Sequence, residues 1–181
     1  MGFIPWALCN FLCLLGWNPG TDQEFFSRDE LIQAFSLNRM SRVNSVFNYK
    51  PGDPKFFTDP KLIAMNEHYL RTMDLEELGQ MVRKELESEN LWDPAYATSR
   101  RDWYLSTLGM IRDRFHTVKD FTAAGRAYFS DQYTSDPKPL AKNVLKFPEL
   151  TGWLPQLAQR FAGLADFSAE ETERVCREMA D

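Results

Sequence analysis

The chain has 181 residues, is 44% hydrophobic and 14% aromatic, and carries a formal net charge of −5. That is enough for one ordinary domain or two small ones with a real core, and the overall charge does not advertise nucleic-acid binding. Three cysteines, Cys9, Cys13 and Cys176, are too sparse and too odd in number for a disulfide framework; with no Asn-x-Ser/Thr acceptor present, they fit a reducing, cytoplasmic setting.

The chain opens on an apolar run over residues 3–19 that looks at first like a secretory signal. No Lys or Arg precedes Arg28, however, and no small-residue cleavage pattern follows. The run is also too short and too interrupted to span a bilayer. Pro5 suits a first helical turn and Gly16 the position just past a helix end, so the punctuation predicts a soluble helix. Only Asn10 is polar between them, and a helix apolar nearly all round belongs in an interior. Opening directly on a core helix predicts that the chain is a portion of something larger. Cys9 and Cys13, one turn apart, read as two small buried hydrophobes rather than as a metal or redox pair.

Further along, Ser27, Glu30 and the apolar Leu31, Ile32 and Phe35 spell a capping box at a helix start. Asp74 and Glu77 repeat the device before Leu78, Val82 and Leu86, and Ser168 and Glu171 before Val175 and Met179. Tyr104, Leu108, Ile111 and Phe115 form a helical stripe, and residues 122–128 and 154–161 read as further helices. No stretch alternates with period two for long, so the predicted class is all-α. Pro- and Asp-rich breaks fall at residues 49–60, at Asp93-Pro94 and at residues 136–139; the first reads as an exposed insertion.

Catalytic signatures are missing: there is no Gly-rich phosphate loop, zinc-binding HExxH, CxxC or nucleophile elbow. His68 and His116 have no obvious partners and read as surface or interface residues. Glu76-Glu77 and Glu170-Glu171 read as helix caps rather than acid/base pairs. The charge is unevenly spread. Residues 98–147 carry nine basic and five acidic side chains between two acidic flanks. Such a face can bind phosphate even on an acidic chain, although an ordinary solvated helix face gives the same pattern. By its residues alone the chain is a binding or structural module.

Several segments together resemble one family, the C-terminal half of bacterial-type glutamyl-tRNA synthetases, which are class I aminoacyl-tRNA synthetases. The opening Gly2-Phe3-Ile4-Pro5-Trp6-Ala7-Leu8-Cys9-Asn10-Phe11-Leu12-Cys13-Leu14-Leu15-Gly16-Trp17 is similar to the stretch that follows the family's KMSKS-type loop. Glu24-Phe25-Phe26-Ser27 and Ala34-Phe35-Ser36-Leu37-Asn38-Arg39-Met40-Ser41 resemble the next family pattern. Lys61-Leu62, Asn66, Tyr69, Arg71 and Arg112-Asp113-Arg114-Phe115 continue it. Departures are Asn38 for a usual acid, Ala64 for a usual Trp, Glu67 for a usual Gly, and about ten extra residues between Val46 and Lys61.

The resemblance implies a helical stem-contact domain over 1–72, a helical anticodon-binding domain over 73–150, and the start of a second one over 151–181. It places the ATP- and Mg-using catalytic domain before Met1, so this chain is expected to hold no cofactor and to be non-catalytic alone. The expected partners are a glutamate-accepting tRNA and that catalytic domain, with no membrane and with a monomeric enzyme. Arg114 falls on the position that reads the first anticodon base; its fixed fork of donors suits the O2 and N3 acceptors of a cytosine. Read without the family, Arg114 is a helix-end arginine bonded to the last carbonyls. Arg112, Arg100, Arg101 and Lys119 are implied phosphate contacts, and Lys61, Asn66 and Arg71 are implied stem contacts. Trp92, Trp103 and Trp153 read as core packing rather than base-stacking platforms. A helical adaptor that binds protein instead of RNA is the rival reading.

Overall fold

The computed structural model describes residues 2–41 and 59–180. The insertion expected at 49–60 therefore lies outside the described residues apart from Asp59 and Pro60. The described residues form eight α-helices joined by short 3-10 turns, with one isolated antiparallel bridge between Trp17 and Met40 and no strand.

Helix α1, Pro5–Gly16, starts with proline where a missing N–H leaves nothing unsatisfied. Its burial does not follow polarity alone. Asn10, its one polar residue, is fully buried with Ala7 and Phe11, whereas Leu12 is 52% exposed. Asn10 is tolerated because its amide is hydrogen-bonded at both ends. Its Nδ2 donates to the Glu24 carbonyl at 3.0 Å, and its Oδ1 accepts the Phe26 N–H at 2.9 Å. The Tyr69 hydroxyl lies 2.7 Å from the same Oδ1 and 2.6 Å from the Phe26 carbonyl. Asn10 thus ties α1 to the loop before α2 and to α3.

Helix α2, Arg28–Ala34, carries the predicted capping box: Glu30 N–H donates to Ser27 Oγ at 3.3 Å, and Ser27 N–H donates to the Glu30 carboxylate at 2.7 Å. That second bond holds the Glu30 carboxyl below the usual carboxylate range. Helix α3, Pro60–Thr72, is capped by Asp59 and buries Leu62, Met65, Asn66 and Leu70. Asp74 caps helix α4, Leu75–Ser88, which buries Leu78, Val82 and Leu86 at helical spacing. Helix α5, Arg101–Ile111, faces it with Tyr104, Leu108 and Ile111. The two cross closely at Gly79: a Cβ there would sit 3.0 Å from the Leu105 side chain. The Tyr104 hydroxyl donates to the Gly79 carbonyl at 2.7 Å across that crossing.

The helix expected over 122–128 is replaced by two 3-10 turns, Val118–Phe121 and Arg126–Tyr128. The chain between them is folded onto itself at Gly125, whose N–H donates to the Asp120 carbonyl at 2.8 Å. A Cβ at Gly125 would lie 2.8 Å from the Phe121 carbonyl and 2.9 Å from the Phe115 ring, so the tight turn depends on glycine. The compact turns let Phe115, Phe121 and Phe129 all reach the core.

Two compact units divide at Tyr133 and Thr134. In the first, one continuous core runs from Ile4 through α1, α3, α4 and α5 to Phe129. The described residues of segments 1–72 and 73–133 therefore share a single interior. In the second unit, α6, Pro137–Leu140, and a π-type turn, Ala141–Leu145, precede helices α7, Leu150–Ala162, and α8, Ala169–Ala180. Ser168 Oγ accepts the Glu171 N–H at 3.3 Å as the expected cap of α8. Leu150, Trp153, Leu154, Leu157, Cys176 and Met179 line an apolar groove in this unit.

Candidate nucleic-acid interface

The predicted reading residues sit on a tight turn. Helix α5 ends at Ile111 and passes directly into the 3-10 turn Arg112–Arg114. Phe115 then leaves in an extended conformation and turns its ring into the core. The turn rests on α3, and its charges are largely committed to that helix. The Arg112 guanidinium donates to the Met73 carbonyl, at the C-terminal cap of α3, at 3.0 Å. Arg71 on α3 pairs with Glu67 at 3.3 Å and approaches the Asp113 carboxylate at 4.0 Å. The His116 ring pairs with the Glu67 carboxylate. The Glu67 side chain gathers both Arg71 and His116.

Arg114 is exposed, and among the described residues its side chain makes no hydrogen bond or ion pair. The plain alternative for this residue, a helix-end arginine bonded to carbonyls, describes Arg112 instead. Lys119 is likewise exposed and unpaired among the described residues. Its backbone lies under the N-terminus, where Val118 N–H donates to the Gly2 carbonyl at 2.8 Å. Gly2 has φ +79° and its missing Cβ would meet Lys119 Cγ at 2.8 Å.

Asn66 does not present a stem contact. It is fully buried, its Oδ1 accepts the Ile4 N–H at 2.8 Å, and its Nδ2 donates to the His116 carbonyl. Both ends of the amide are bonded inside the fold and the side chain has no exposed surface to offer RNA. Sequence reasoning missed this because the partners lie 62 and 50 residues away.

The remaining candidate residues, Lys61, Arg100 and Arg101, are exposed and paired. Lys61 pairs with Glu24 at 2.6 Å, Arg101 with Glu76, and Arg100 with Asp93 at 3.4 Å. Arg100 also stacks on Trp103, 4.2 Å from its ring centroid. Exposed pairs of this kind contribute about 0–1 kcal/mol, so a phosphate can displace the carboxylate. Around Arg100, Tyr96 and Tyr104 stack at 5.4 Å, with Trp92 edge-on to both. Burial holds the Tyr96 and Tyr104 phenols above their ordinary range. Trp92 packs against the core, as expected, beside the buried Tyr96. Trp103 and Trp153 depart from expectation: they are 40% and 50% exposed. His68, read as a surface residue, stacks on Phe25 with ring centroids 3.8 Å apart.

Fold and turn together define an all-helical binding module that offers an unpaired arginine between paired neighbours. The chain belongs to the anticodon-binding domain family, whose model matches residues 61–181. Residues 1–51 match the model of the class I (E and Q) tRNA synthetase catalytic domain, overlapping the segment read as stem-contact. Over 180 residues the chain is 62% identical to the glutamate–tRNA ligase of Desulfotalea psychrophila, covering 99% of this chain and 37% of that protein. It is 33% identical over 180 residues to glutamate–tRNA ligase 2 of Koribacter versatilis, covering 35% of that protein. A crystal structure of a glutamate tRNA ligase from Elizabethkingia meningosepticum in complex with its amino acid superposes with a TM-score of 0.73 at 26% identity. That match covers 99% of this chain and 32% of the other. The chain thus spans about a third of the length of the relatives it matches. None of these likenesses supports the adaptor reading. No helix among the described residues is long and apolar enough to cross a membrane.

Proposed function

We propose that this chain is the tRNA-reading portion of a cytoplasmic, monomeric glutamate–tRNA ligase. It lies along the inner corner of the tRNA and receives the anticodon loop at the Arg112–Arg114 turn. The whole enzyme joins glutamate to its tRNA with ATP, and the ATP and Mg belong to its catalytic domain. Residues 1–72 act as the stem-contact segment, 73–150 as the anticodon-binding segment, and 151–181 as the start of a second anticodon-binding segment.

The observation that carries this reading is Arg114 itself: an exposed guanidinium on a turn anchored at both ends, with no partner among the described residues. An unstacked first anticodon base is read by its Watson–Crick edge, and a rigid fork of donors suits cytosine O2 and N3. Lys119, Arg100, Arg101, Lys61 and Arg71 supply phosphate contacts that set register without reading sequence. Arg112 braces the turn.

The test is binding of a glutamate tRNA to the wild-type chain, Arg114→Ala and Arg114→Lys over a range of salt. Both variants lose about 1–3 kcal/mol, and the loss disappears when the first anticodon base is changed. Lys119→Ala weakens binding to every sequence and lowers the salt slope by about one phosphate. Equal binding of wild type and Arg114→Ala at every salt concentration removes Arg114 from the mechanism.

A further inference from the structure

We infer that Asn66 is a positioning residue for base reading: its buried amide fixes the exit of the Arg112–Arg114 turn to the start of α1 and so sets where the Arg114 fork points. The inference rests on the proposal that Arg114 reads a base.

The turn is held at two points. At its entry, the Arg112 guanidinium donates to the Met73 carbonyl at 3.0 Å. At its exit, the His116 carbonyl accepts from Asn66 Nδ2. Between these pins Arg114 has no side-chain bond of its own, so its direction is inherited from the backbone. Asn66 cannot shift to follow the turn. It is fully buried, and its Oδ1 is fixed by the Ile4 N–H at 2.8 Å. A second tie runs parallel to the first, from Val118 N–H to the Gly2 carbonyl at 2.8 Å. One side chain on α3 therefore joins Ile4, in the stretch that matches the catalytic-domain model, to His116, in the stretch that matches the anticodon-binding model. A fork that pairs with two acceptors is sensitive to aim, because both bonds weaken steeply as they bend.

Asn10 is the natural control. It is equally buried and also bonded at both ends of its amide, yet its partners Glu24, Phe26 and Tyr69 make no hydrogen bond to residues 112–116. Loss of either asparagine destabilises the fold, but only loss of Asn66 misaims Arg114.

The experiment uses the 181-residue chain and two anticodon stem-loops, one with cytosine and one with adenine at the first anticodon position. Affinities for both are measured for wild type, Arg114→Ala, Asn66→Ala, Asn66→Asp and Asn10→Ala. Asn66→Asp keeps the acceptor for Ile4 but sets an oxygen against the His116 carbonyl. The readout is the ratio of the two affinities. A variant that only loses folded protein lowers both affinities together and leaves the ratio unchanged. The Asn66 variants are expected to reduce the ratio about tenfold, the loss of one well-made bond to the base, with Asn10→Ala at the wild-type ratio. A wild-type ratio in folded Asn66 variants, or an equal fall in Asn10→Ala, overturns the inference. An unchanged ratio in Arg114→Ala overturns the base-reading proposal itself, which separates the two failures. If the Asn66 variants do not fold, amide hydrogen exchange of the wild-type chain decides. The cytosine stem-loop is expected to slow exchange at Ile4 and Val118 more than the adenine stem-loop does. Equal exchange at Ile4 with both stem-loops overturns the inference.

Discussion

Replacing Asn10 by alanine should destabilise this protein more than replacing Leu12 by alanine, although the second removes a leucine from an apolar helix. Without the Asn10 amide, the Phe26 N–H loses its acceptor at a residue only 3% exposed. An orphaned buried donor costs about 1–3 kcal/mol. The Glu24 carbonyl also loses its donor, but Glu24 is exposed and water can replace the bond. Tyr69 can turn fully to the Phe26 carbonyl, 2.6 Å away, and stays satisfied. The expected total is about 2–3 kcal/mol, most of it from the Phe26 amide. Leu12 is 52% exposed, so its truncation forfeits little burial and should cost below about 1 kcal/mol. Urea unfolding of both variants against wild type, with slopes compared as well as midpoints, measures the order directly. If Leu12→Ala costs as much as Asn10→Ala, the account of α1 as a helix held by its polar residue is wrong.

Tyr104→Phe removes the hydroxyl that donates to the Gly79 carbonyl and should cost about 1 kcal/mol in the same assay. Gly79→Val drives branched carbon into the Leu105 side chain at the α4–α5 crossing, and should cost about 1–3 kcal/mol by overpacking. Ser27→Ala removes the cap of α2 and should cost about 1 kcal/mol. The same capping box predicts a pH dependence. Glu30 has a folded-state pKa held below its unfolded value, so its contribution is complete above the ordinary glutamate range and fades as the pH falls through the folded value. Urea midpoints of wild type and Glu30→Gln should therefore converge on acidification.

Much of this architecture was legible where local chemistry decides it. Ser27, Asp74 and Ser168 mark helix starts because a side-chain oxygen beside free N–H groups acts within three residues, and all three cap the helices expected of them. Apolar spacing likewise found the buried faces of α4 and α5. What failed was long-range. Residues 122–128 have helical composition, yet Gly125 is packed against Phe115 and Phe121, and tertiary contact overrode propensity. The resemblance implies a stem contact at Asn66, whereas Ile4 and His116 hold it inside. A signal for such asparagines existed in the sequence at Asn10, a lone amide among apolar neighbours, which is the pattern of a satisfied buried group. At the candidate interface, the basic residues were recognisable by type. Which of them would be left without a partner depended on Met73, Glu67 and Asp113, and no spacing rule encodes that.

The continuous core from Ile4 to Phe129 limits how such a protein can be recombined. Residues 73–133 transplanted from a relative would bring one half of an interior whose other half is built from α1 and α3. Leu62, Met65 and Leu70 would meet side chains shaped for a different neighbour, and overpacking or voids would follow. The natural unit of exchange is the whole first compact unit, in which exposed side chains can vary while the interior travels intact. If the Arg112–Arg114 turn reads a base as proposed, changes of specificity should accumulate as point substitutions on that turn and its rim, not as swapped segments.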